Sequence, residues 1–129
     1  MAYNVSGQSE KARQVIMENY EKNPNYLFGM LNYATLCLED GEPEKIPEIF
    51  DHKFDLKHLY PDRNVFHITE LVNFIGTIGL YYVETEEREL AEQQYSFLKD
   101  VGAEYPITRL LKRLLYPNVI QRLLSRMRR

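Results

Sequence analysis

Displacing the chain by 45 residues along itself brings like onto like. Met30, Tyr33, Ala34 and Cys37 fall on Ile75, Ile78, Gly79 and Tyr82; Ile46 and Phe50 fall on Ala91 and Tyr95; Tyr60-Pro61 falls on Tyr105-Pro106. A second displacement carries Ile75, Ile78, Gly79 and Tyr82 onto Ile120, Leu123, Leu124 and Met127. Agreement at apolar positions and at punctuation together constrains the fold strongly. A repeat of this length is one supersecondary unit, and it buries its apolar face by stacking on the next unit.

The units read as helices. Ser9 is a plausible N-cap, and Ala12, Val15, Ile16 and Tyr20 recur at helical spacing before Asn23-Pro24-Asn25 interrupts. A second helix is predicted over 26–40, with Leu27, Met30, Leu31, Ala34 and Leu38 on one face and Asp40-Gly41 ending it. Pro43 opens a third, with Ile46, Ile49, Phe50 and Phe54 facing inward and Pro47 making its start irregular. Residues 55–63 are expected to be a connector. A long fourth helix spans 64–84, and a fifth is capped by Thr85, with Glu86, Glu87 and Glu89 near its positive end. It closes at Gly102 and Pro106. The last helical stretch, 107–128, is interrupted at Tyr116-Pro117.

The residue types resemble the tetratricopeptide repeat in degenerate form. Ile75-x2-Ile78-Gly79-x2-Tyr82 followed by Ala91-x3-Tyr95 matches that family's pattern, as do Met30-x2-Tyr33-Ala34-x2-Cys37 and Ile46-x3-Phe50. Ala12 to Ile46 is 34 residues, the family period. There is no Trp, and each full unit is a few residues too long, so the period also suits HEAT-like or armadillo-like units. The resemblance implies an all-α, right-handed α-solenoid of antiparallel hairpins with about six helices. Residues 1–104 are expected to hold the repeats and 105–129 a basic amphipathic capping or docking helix.

What the resemblance implies for function is protein binding. The first helices of the hairpins would line a concave groove with Phe28, Leu31, Asn32, Thr35 and Leu38, then Asn73, Thr77 and Leu80, neutral enough for an apolar peptide or helix. Gly76 belongs to the same stretch. The alternative makes the C-terminal helix the working surface. Leu110, Leu111, Leu114, Leu115, Val119, Ile120, Leu123, Leu124 and Met127 form its apolar stripes. Arg109, Lys112, Arg113, Arg122, Arg126, Arg128 and Arg129 occupy its other faces. It would self-associate into a homodimer or contact an acidic protein, an anionic membrane or nucleic acid.

Charge supports the division. Residues 1–104 hold 9 basic and 19 acidic side chains, a balance of −10; residues 105–129 hold 7 basic and none acidic. The acidic body disfavours nucleic acid and membranes as partners. Cys37 is the only cysteine, placed among apolar neighbours, so an internal disulfide is impossible and a cytoplasmic setting is expected. No run suits a membrane span and no basic-then-apolar leader opens the chain. Asp51, Asp55, His58 and Asp62 share a helical face only if the connector is helical, and they match no metal-site spacing. With no G-x-S-x-G and no phosphate-binding glycine loop, neither an enzyme nor a cofactor is expected.

Overall fold

The computed structural model describes residues 10–117. Seven α-helices are present among them, and no strand: α1 Glu10–Lys22, α2 Leu27–Glu39, α3 Ile46–Ile49, α4 Leu56–Leu59, α5 Ile68–Glu84, α6 Arg88–Val101 and α7 Pro106–Leu115. A 3-10 turn, Pro43–Lys45, leads into α3. The protein is all-α.

Burial follows the apolar pattern of each helix. Helices α2 and α5 are apolar on most sides and occupy the centre, since a helix of that kind must bury most of its surface. The strongly amphipathic α7 turns Thr108, Leu111 and Leu115 inward. α6 buries Ala91 and Leu98, and α1 buries nothing completely. One core joins Ala34, Leu38, Ile46, Phe50, Phe74, Ile78, Leu98 and Leu111. Helices α2, α5 and α7 lie side by side in chain order, with α1 against α2 and α6 against both α5 and α7. Both α6 and α7 lie beside α5. The targets of the second displacement, Ile120, Leu123, Leu124 and Met127, lie outside the described residues, as does the expected cap Ser9.

Three helices end alike. In each, the residue after the cap is left-handed and two backbone bonds close the turn, the Schellman geometry. Glu42 N donates to Cys37 O and Gly41 N to Leu38 O at the end of α2; His52 N to Pro47 O and Asp51 N to Glu48 O at the end of α3; Glu87 N to Tyr82 O and Glu86 N to Val83 O at the end of α5. The left-handed residues are Gly41 (φ 73°), Asp51 (φ 52°) and Glu86 (φ 61°), and His52 (φ 58°) follows suit. The third expected helix is therefore a single turn, and Phe54 falls beyond it. Thr85 does not cap α6: its hydroxyl donates back to Tyr81 O and closes α5. The connector holds one turn of its own, because the Asp55 carboxylate accepts from Lys57 N and His58 N.

Small residues in α5 admit α7. A Cβ on Gly76 would lie 2.7–2.8 Å from three carbons of Ile107, and one on Gly79 would lie 2.7 Å from Leu111 Cδ2 and 3.4 Å from Gln94 Cβ. Ala34 is fully buried. Gly79 of the repeat pattern thus serves mainly the approach of α7, with α6 next through Gln94.

Candidate functional site

Most of the lining expected for the concave groove is core. Leu31, Leu38, Thr77 and Leu80 are 5, 0, 1 and 2% exposed, so they present no open surface. Gly76 lies under Ile107. Thr77 Oγ1 donates to Asn73 O, Asn73 Nδ2 to Thr69 O, and Thr35 Oγ1 to Leu31 O, each satisfied within its own helix. Phe28 is half-buried, and Asn32 alone of the set is exposed. The physical reason is that α2 packs on α5 and α5 on α7, which covers these side chains. Of the basic set, Arg109, Lys112 and Arg113 are exposed on α7; Arg122, Arg126, Arg128 and Arg129 lie outside the described residues.

A different concavity is open. Phe54, Asp55, Leu56, Lys57, Phe66, Leu71, Phe74, Ile75 and Gln94 enclose a groove of about 450 Å³. Its floor is one side of α5, supplied by Leu71, Phe74 and Ile75. One wall is the irregular segment after α3, and the other is α6, reached through Gln94. Helix α3 has 4 residues against the 14 of α6, and the largely irregular chain that follows it, not a helix of that length, forms this wall.

Each wall is fixed by identifiable contacts. The turn at Asp51-His52 carries the chain away from the helix axis and delivers Phe54 against Tyr81 and Tyr82, with ring centroids 5.5 and 6.2 Å apart. Phe66 is held by Arg63, whose guanidinium stands 4.4 Å from its ring centre. Arg63 also binds both Glu70 oxygens, at 2.9 and 2.8 Å. Glu70 Oε1 accepts from His67 N, and His67 Nδ1 accepts from Thr69 N, closing a capping box at the start of α5. The Arg63 guanidinium and the His67 amide hold the Glu70 carboxyl down at about 2. Lys57 Nζ donates to Pro61 O, Arg63 O and Asn64 Oδ1, which ties its three donors to the loop ahead of α5.

Beside the groove, α6 carries an exposed apolar stripe. Leu90, Gln94, Phe97 and Val101 follow at steps of four, three and four, which places them on one flank. Leu90, Phe97 and Val101 are 36, 43 and 39% exposed. The opposite flank of α6 is occupied by α7. Arg88 Nη2 donates to Leu115 O at 2.6 Å, and Tyr116 Oη to Glu92 at 3.1 Å. A second and larger hollow on that flank, about 690 Å³, is lined by Tyr95 and Tyr116 together with the charged residues Glu89, Glu92, Lys99 and Lys112.

Sequence reasoning missed the stripe. Its signal was present in the spacing of Leu90, Phe97 and Val101, but an apolar residue on a helix reads as core until its neighbour is known. Among the described residues no three His, Cys, Asp or Glu side chains converge as metal ligands. The left-handed turn separates Asp51 from Asp55, and α4, which Asp55 caps and His58 belongs to, ends before Asp62, so the four share no one helical face. Burial raises the Cys37 thiol above its ordinary value. No described helix is long and apolar enough to cross a membrane. Compared with protein-family models, curated proteins and solved structures, the chain matches none.

Proposed function

We propose that this chain is a protein-interaction module of the cytoplasm, a degenerate tetratricopeptide-like stack of helical hairpins that takes an apolar-faced helix of a partner into the groove beside α6. The observation that carries the reading is the conjunction of an open apolar groove with the exposed stripe Leu90, Phe97 and Val101. Side-by-side packing of α2, α5 and α7 supports the hairpin stack. The apolar floor of Leu71, Phe74 and Ile75 between two walls supports the shape of the guest, since an amphipathic helix lays its apolar face into a groove of that kind. A guest supplying Leu or Phe at helical spacing would cover side chains that now face water, at roughly 25 cal/mol per Å² covered.

Titration of the ¹⁵N-labelled protein with a synthetic amphipathic helix bearing leucines on one face tests this. Amide shifts are expected to move around Phe54, Phe66, Ile75, Leu90, Gln94, Phe97 and Val101, and the Leu90→Asp/Phe97→Asp variant is expected to lose the response. Shifts confined to α2 and α7, or none at all, would refute it.

A further inference from the structure

Helix α5 begins on a cap that a proton can remove. The side chains that cap helices best, Asn, Asp and Ser, keep an acceptor oxygen near neutral pH, and α4 uses one of them, Asp55. Helix α5, with 17 residues the longest described, uses His67 instead. Thr69 N donates to His67 Nδ1 at 3.2 Å, and Thr69 Oγ1 lies 2.8 Å from the same nitrogen. A backbone N–H only donates, so Nδ1 offers its lone pair and the single ring proton sits on Nε2. That arrangement belongs to the neutral imidazole. In the imidazolium both ring nitrogens donate, and the acceptor for Thr69 N is gone. The Thr69 hydroxyl can turn round and accept; the Thr69 amide cannot.

The charges around the ring do not restore that bond. Glu70 Oε1 accepts from His67 N at 2.8 Å, and its charge favours a proton on the ring. Arg63, bound to both Glu70 oxygens, opposes it, as does the positive end of α5. Lys57 is tied to the same loop through Pro61 O, Arg63 O and Asn64 Oδ1. Among the described residues no ion pair involves His67.

The cap bears on the groove because the residue before it is part of the groove lining. The Phe66 ring is held by the Arg63 guanidinium at 4.4 Å and by Tyr60, with ring centroids 6.4 Å apart. Its backbone enters α5 through the extended conformation of His67 (φ −70°, ψ 148°), which the two bonds of the capping box fix. We propose that His67 is a proton-operated catch. Neutral, it closes the box and holds Phe66 in the groove wall; protonated, it releases Thr69 N and the wall loosens. Histidine is the side chain that ordinarily changes charge between about pH 5 and 8, so the wall is held above that range and freed below it. The catch acts on the wall itself, whether or not a partner helix enters the groove.

NMR of the full chain between pH 8 and 5, with the His67→Asn variant beside it, tests the catch. Asparagine is a strong cap and has no charge to change in that range. The variant keeps His52 and His58, so any movement they cause persists in it. Glu70, at about 2, stays charged throughout. In the unmodified chain the imidazole nitrogens are expected to report a proton on Nε2 at pH 8. As the ring takes its second proton, the Thr69 amide and Phe66 ring resonances are expected to shift with the same midpoint. In His67→Asn both are expected to stay in place. A neutral ring with its proton on Nδ1, a Thr69 amide indifferent to the ring's titration, a Phe66 ring that does not follow Thr69, or a variant in which both move as before would each overturn the proposal. Failure of the synthetic helix to bind would refute the groove reading and leave these outcomes untouched.

Discussion

At the scale of single residues, the two glycines of α5 carry unequal demands. Each Gly→Ala change gains about 1 kcal/mol of helix propensity. Against that stands overpacking, which costs about 1–3 kcal/mol where neighbours are rigid. At Gly79 the close atom is the end of Leu111, a side chain able to turn aside, whereas at Gly76 three carbons of branched Ile107 crowd the new methyl. Gly79→Ala is therefore expected to be near neutral and Gly76→Ala to lower stability by about 1 kcal/mol or more, measured by urea unfolding. Ile107→Ala should offset part of the Gly76 penalty in a double-mutant cycle. Glu70 makes a second single-residue prediction. Its carboxyl sits at about 2 in the folded chain against an ordinary 4.5, so its stabilisation is complete above the ordinary value and fades as pH falls toward 2. Arg63→Gln should lower the urea midpoint clearly near pH 7, with the difference from the parent chain closing as pH approaches 2. A difference independent of pH would contradict the pairing.

At the scale of elements, helix ends rather than helix interiors decided how much was readable. Helix α2 was legible to its last turn because Gly41 stands at the left-handed position. The ends of α3 and α5 use Asp51 and Glu86 for the same geometry, and nothing in an Asp or a Glu announces a left-handed turn. Hence the third helix was expected to run on to Phe54, and Thr85 was given a role at the wrong helix. The left-handed conformation costs a side-chain-bearing residue about 1–2 kcal/mol, and glycine recovers that less its own entropy cost. Glu86→Gly is thus expected to raise stability by about 0.5–1 kcal/mol, read as a higher midpoint in thermal or urea unfolding. A loss would show that Glu86 makes a contribution its backbone does not explain.

At the scale of the whole molecule, the apolar periodicity, the single core and the punctuation at Pro24, Gly41 and Pro106 follow from the order of residues. The all-helical class and the approximate extents of α1, α2, α5, α6 and α7 were set there, because a period of 3.6 in apolar side chains has one way to bury itself. The placement of a binding surface was not. Leu31, Leu38, Thr77 and Leu80 look identical in sequence whether they face a guest or another helix. Their burial was decided by how closely α2, α5 and α7 approach, which depends on Gly76 and Gly79 meeting residues some thirty positions away. Conversely, Leu90, Phe97 and Val101 are exposed because the helices packed against α6, α5 and α7, lie on its other sides. Local chemistry therefore determined which segments are helical and which faces are apolar. Only the tertiary packing decided which apolar faces found a neighbour within the chain and which were left open, since that choice depends on the lengths and crossing distances of several helices at once.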